Sequence, residues 1–121
     1  MEEVNSLIKS EREALENIAK ANGSFKEFYK KGDIEIKNGY VVNLWLLRKG
    51  LETLHPDISK FKKIKYINIS DNKLKTLPQE SIEELMKLPE MRIDAVKNIF
   101  DEETKEFLEN MGKEYVWIYY L

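Results

Sequence analysis

Few side chains in this 121-residue chain are equipped to make or break bonds. There is no cysteine, which removes thiolate chemistry, disulfides and Cys-based zinc sites. His55 is the one histidine, so no His pair can hold a metal or relay a proton through a second imidazole. No Gly-rich phosphate loop, GxSxG elbow or HExxH helix occurs. Carboxylates are plentiful, but Glu83-Glu84 reads as a solvated helix face. Asp101-Glu102-Glu103 reads as a helix start, where negative charge meets the positive end of the dipole. The expectation is a protein without catalytic residues, metal or cofactor.

The run Lys60-Phe61-Lys62-Lys63-Ile64-Lys65 is the best candidate for nucleic-acid contact, since several lysines on phosphates would give salt-sensitive binding. Its apolar members fit a buried pattern, which makes the lysines the solvated positions between them. Net charge is −2 overall but unevenly spread: residues 1–75 hold 15 Lys+Arg against 11 Asp+Glu, and residues 76–121 hold 5 against 11. Such asymmetry orients a charged partner during encounter. With 42% hydrophobic and 35% charged residues the chain belongs to the soluble globular class. No apolar run reaches the ~18 residues of a membrane span. Met1-Glu2-Glu3-Val4 is acidic and unlike a secretory signal. A cytoplasmic location is expected, with no membrane partner.

Any binding residues must be positioned by the elements around them. Val4, Leu7, Ile8, Leu15, Ile18 and Ala19 recur at helical spacing, and Asn22-Gly23 supplies a left-handed stop. Ser24 and Glu27 form a capping box for a second short helix ending at Gly32, with Phe25, Phe28 and Tyr29 buried. Asn38-Gly39 lies between Ile34–Lys37 and Tyr40–Leu46, which is a hairpin signature. Further on, a helix is expected over residues 101–110, with Gly112 as its stop and Phe107, Leu108 and Met111 inside. Residues 115–121 are aromatic and β-branched and read as a final strand.

Between these ends the chain repeats itself. Val41, Leu44, Leu46, Leu51 and Leu54 match Ile64, Ile67, Ile69, Leu74 and Leu77 at a constant offset of 23 residues. A period in the twenties marks a stack of strand-and-arc units. The stretch Ile64-Lys65-Tyr66-Ile67-Asn68-Ile69-Ser70-Asp71-Asn72-Lys73-Leu74-Lys75-Thr76-Leu77-Pro78 resembles the leucine-rich repeat pattern LxxLxLxxNxLxxLP. In 41–63 the match departs, with Lys49-Gly50 in place of the Asn and His55-Pro56 in place of Leu-Pro. A third repeat is expected from Leu88, with Met91 and Ile93 as its inward pair, Val96 at the Asn position and Asn98 as the nearest asparagine.

The resemblance implies one α/β leucine-rich-repeat solenoid domain over 1–121. Helices and a hairpin would cap it over 1–40, repeats with a short parallel sheet would fill 41–100, and a helix and strand would cap 101–121. Asn72 would be the structural residue of the turn. The family's usual role implies a non-enzymatic module that binds a partner protein. Alternation turns the residue between two inward positions outward, giving the column Trp45, Asn68 and Arg92, flanked by Tyr66 and continued by Trp117. Trp, Tyr and Arg often dominate binding energy. Two alternatives stand beside this reading: a homodimer through the C-terminal strand, and a weak nucleic-acid binder through the Lys60–Lys65 face.

Overall fold

A computed structural model describes residues 4–23, 27–115 and 118–120. A 3-10 turn at Val4–Ser6 leads into helix α1, Lys9–Lys20, whose Ala14, Leu15, Ile18 and Ala19 are buried at helical spacing. Val4 stays exposed because it precedes the helix proper. The Asn22 amide donates to the Ile18 carbonyl at 3.0 Å, and Gly23 takes φ +90° to end the helix. The expected second helix does not form in its described part: residues 27–32 are turns and bends, while Ser24 and Phe25 lie outside the described residues. Glu27 sits at φ +70°, which a right-handed helix forbids, and the Lys30 N–H bonds to the Asp33 carboxylate instead of a preceding carbonyl. Phe28 is nevertheless buried, edge-on to Tyr29 at 4.8 Å, and the Tyr29 hydroxyl donates to the Leu15 carbonyl. Burial raises the Tyr29 pKa above the ordinary phenol value, with Asp33 adding to the effect.

A five-stranded sheet in the order β1-β2-β3-β4-β5 follows: Ile34–Lys37, Tyr40–Trp45, Tyr66–Asn68, Arg92–Asp94 and Ile118–Tyr119. β1 and β2 are the expected antiparallel hairpin, with Asn38 and Gly39 at φ +53° and +84° in the turn. The other pairs are parallel. Leu44, Ile67, Ile93 and Ile118 share one inward row, all buried in a core that runs from Leu7 to Ile118. Ile67 follows Leu44 by the expected 23 residues, but Ile93 follows Ile67 by 26. Met91 and Ile93 are both buried as expected, but the register makes Ile93 and Ala95 the counterparts of Ile67 and Ile69, and Asn98 rather than Val96 takes the asparagine position. Phe100 then stands where Leu74 and Leu51 stand in the preceding units, and all three are buried.

Each turn after the strands is built the same way. Arg48, Asp71 and Lys97 adopt φ +53°, +57° and +59°, so the chain reverses just before the asparagine position. The buried Asn72 amide donates to the carbonyls of Leu46, Ile69 and Ser70, and its carbonyl accepts from the N–H groups of Lys49 and Leu51. Asn98 repeats this, donating to Ile69 and Ala95 and accepting from Leu74 N–H. In the first unit Lys49 replaces the asparagine. Its ammonium lies 2.6 Å from the Phe28 carbonyl and 2.7 Å from the Asp33 carboxylate, tying the turn to the preceding segment. Replacing Asn72 with alanine would strip partners from five backbone groups, some of which rebond elsewhere. Asn72→Ala is expected to cost about 1–3 kcal/mol in urea unfolding, and Asn98→Ala, only half-buried, clearly less.

The arcs that return behind the sheet differ in length. The first is a 3-10 turn, Pro56–Lys60, capped by His55, whose Nδ1 accepts from the Asp57 N–H. The second is helix α2, Gln79–Met86, which accounts for the longer spacing. The third is helix α3, Glu102–Glu114, with Asp101 as N-cap accepting from the Thr104 N–H at 2.8 Å. Hydrogen bonding to the Thr104 side chain, and then to its backbone N–H, holds the Asp101 carboxyl below its usual pKa. Gly112 lies inside α3 and does not stop it; the helix runs to Glu114. Ile58, Phe61, Ile64, Ile82 and Leu85 are buried along the inner side of the first two arcs. No described helix is long and apolar enough to cross a membrane.

Glu11 was not anticipated. It falls on the apolar stripe of α1 and is fully buried, with one carboxylate oxygen accepting from Val41 N–H at 2.8 Å and the other from Lys62 N–H at 3.1 Å. α1 is thereby bonded both to the start of β2 and to the segment leaving the first arc. The signal was a glutamate between Leu7 and Leu15, on the buried face of the helix.

Candidate functional site

Side chains that alternate with the inward rows form the sheet's outward face. The register sets Trp45 beside Asn68, Asn68 beside Asp94, and Asp94 beside Tyr119. A second row runs Glu35, Asn43, Tyr66 and Arg92. The expected column of Trp45, Asn68 and Arg92 is therefore corrected at its third member. Asp94 takes that position, because the 26-residue spacing moves Arg92 into the row of Tyr66. Trp117 lies outside the described residues.

Four of the five expected residues do come together, across two rows. The Trp45 and Tyr66 rings are 5.9 Å apart and tilted by 57°. Arg92 lies over Tyr66 at 5.6 Å and over Tyr119 at 5.1 Å, so two rings flank its guanidinium. The Tyr66 hydroxyl donates to the Asp94 carboxylate and accepts from the Asn68 amide, while the Asn68 carbonyl accepts from Ser70 N–H. Arg92 approaches the same Asp94 oxygen at 3.4 Å. Burial and the Asp94 carboxylate push the Tyr66 pKa up to about 12, so its hydroxyl keeps its proton at neutral pH. The side chains are thus held by one another before any ligand arrives. Asp94 and Tyr119 belong to this cluster and were missed, because both depend on the shifted third register.

Two depressions flank the cluster. One, of about 420 Å³, lies at the entering ends of β2 and β3 and is lined by Lys37, Tyr40, Asn43, Lys63 and Lys65 with Glu35. Glu35 accepts from the Asn43 amide, and Lys63 lies 5.6 Å from the Tyr40 ring centre. The other, of about 440 Å³, lies at the leaving ends of the strands, with Arg48, Arg92 and Lys97 against Asp71 and Asp94. Arg48 pairs with Asp71 at 2.7 Å. The Ser70 hydroxyl in its lining is buried and has no hydrogen-bond partner among the described residues.

The Lys60–Lys65 run is split by its own core residues. Phe61 and Ile64 are buried, Lys60 pairs with Asp57 at 3.6 Å, and Lys62, Lys63 and Lys65 point to solvent. His55 is engaged as a turn cap, and the described residues contain no group of three or more His, Cys, Asp or Glu placed to hold a metal ion. No family model, curated protein or solved structure matches the chain.

Proposed function

We propose that the chain is a leucine-rich-repeat solenoid that acts as a non-enzymatic module and holds a partner protein on its outward sheet face. The repeated asparagine turn supports the solenoid reading, since Asn72 and Asn98 satisfy equivalent backbone groups in successive units. The observation that carries the binding reading is the cluster of Trp45, Tyr66, Asn68 and Arg92, joined by Asp94 and Tyr119. Large side chains already fixed by mutual contacts lose little entropy on binding, so more of their contact energy appears as affinity.

The test uses the full chain as bait, with retained protein identified and the complex reconstituted from purified components. Trp45→Ala and Arg92→Ala are each expected to weaken binding by about thirtyfold or more, the effect of losing an anchor side chain. Both should melt within a few degrees of the parent, because neither side chain belongs to the buried core. Glu83→Ala, on the exposed side of α2, should bind as the parent does. Unchanged binding by Trp45→Ala, or a large drop in its melting temperature, would remove the face as the partner site.

A further inference from the structure

Past the ends of β2, β3 and β4 the parallel ladder runs on for one more step. Arg48 N–H donates to the Ser70 carbonyl at 3.2 Å, and Asp71 N–H to the Val96 carbonyl at 2.9 Å. Leu47, Ser70 and Val96 therefore stand side by side, two residues beyond Trp45, Asn68 and Asp94 and on the same outward side. Leu47 is 42% exposed and Val96 half-buried, whereas Ser70, the smallest of the three, is 5% exposed. The row is thus a notch with apolar shoulders and a serine between them. All three residues line the depression of about 440 Å³ that adjoins the Arg92 cluster.

The main chain of Ser70 is engaged, its N–H with the Asn68 side-chain carbonyl and its own carbonyl with Arg48 N–H and the Asn72 amide. Its hydroxyl alone has no partner among the described residues. Buried hydroxyls are nearly always paired, so an orphan in the lining of a depression marks a bond left for a ligand to complete. No hydrogen bond holds this side chain in its present rotamer, and it can turn toward an arriving group at little cost. The charges around it are mostly matched already, Arg48 with Asp71 at 2.7 Å and Arg92 with Asp94 at 3.4 Å, which leaves little for a charged ligand to gain. An aliphatic group would fill the notch and leave the hydroxyl unpaired. We propose that the notch receives a phenol, the side chain of a partner's tyrosine. Its ring lies between Leu47 and Val96 beside Tyr119, and its hydroxyl exchanges a hydrogen bond with Ser70. A phenol joins the flat apolar body that the shoulders accept to a tip that both donates and accepts. This rests on the outward face being the binding face, and it names what the partner brings there.

Chemical-shift titration of the isotope-labelled full chain tests the inference. The probes are N-acetyl-tyrosinamide, N-acetyl-phenylalaninamide, N-acetyl-leucinamide and N-acetyl-glutamic acid amide. The tyrosine probe is expected to bind about threefold to tenfold tighter than the phenylalanine probe, the net worth of one hydrogen bond. It should also move the backbone amide signals of Leu47, Ser70 and Val96. Ser70→Ala should melt at or just above the parent temperature, since it removes an unpaired buried group, and should bind the two aromatic probes equally. Equal binding of those two probes to the parent, or a tyrosine preference that survives Ser70→Ala, would overturn the proposal. Tighter binding of the leucine or glutamate probe, or no shift at the three amides, would overturn it too. Trp45 does not line the notch, so a partner still held through Trp45 when the probes fail would leave the outward face in place and remove only the phenol site.

Discussion

Ile67→Asp is expected to abolish cooperative folding. Ile67 is 1% exposed in the central strand, with Leu44 and Ile93 on either side in the same inward row. Burying the isoleucine side chain is worth about 1.5–3 kcal/mol, all of which is lost. A carboxylate in its place has no cation in the row and adds a desolvation penalty of several kcal/mol, or the cost of staying protonated. The total is comparable to the whole stability of a typical domain, about 5–15 kcal/mol. Circular dichroism on heating should show no sigmoidal melt for Ile67→Asp, whereas Ile67→Val should melt with a loss of about 0.5–1.5 kcal/mol. A cooperative melt of Ile67→Asp near the parent temperature would mean that the register of β3 is wrong.

The next largest effect is expected at Glu11. Its carboxylate is the acceptor for two backbone N–H groups from separate segments, Val41 and Lys62. Truncation to alanine leaves both donors without their partner beneath α1 and opens a cavity, at an expected cost of about 2–5 kcal/mol. Glu11→Gln keeps the shape but turns an NH2 toward one of the two donors, so it should fall between parent and alanine. Urea unfolding measures the size, and hydrogen exchange gives the location. The Val41 and Lys62 amides should lose protection before their neighbours do. If Glu11→Ala unfolds at the parent's urea midpoint, the carboxylate is not holding these segments together.

Much of this architecture was legible in the residues, for reasons that can be named. Asn38-Gly39 specifies a two-residue turn whose positive φ values few other pairs accept, so the hairpin could be placed to the residue. The 23-residue offset aligned β2 with β3 because equal arcs keep strands in step. Where arc length changed, extrapolating a nearly constant period failed: α2 lengthens the second unit by three residues, and Ala95 and Phe100 take the places that Leu46/Ile69 and Leu51/Leu74 hold in the earlier units. That one shift accounts for the misplaced Arg92, for overlooking Asp94 and Tyr119, and for placing Val96 rather than Asn98 at the asparagine position. The second helix failed for a different reason. Its capping box was a local signal, and the burial of Phe28 and Tyr29 was satisfied by turns instead. Glu11 stayed hidden because a charged residue on an apolar stripe has no partner visible in sequence; both its donors are backbone groups at least 30 residues away.

The unequal arcs behind the sheet have a consequence for how this gene product can change. Units of 23 and 26 residues deliver their strands to adjacent positions with the same left-handed residue and the same amide bonding. In-frame insertions and deletions of a few codons within an arc therefore need not propagate to the outward face. One extra codon between Ile93 and Asp94 would instead reverse the alternation and drive Asp94 inward. Length variation and binding specificity can then drift independently, the first written in the segments behind the sheet and the second in the strands.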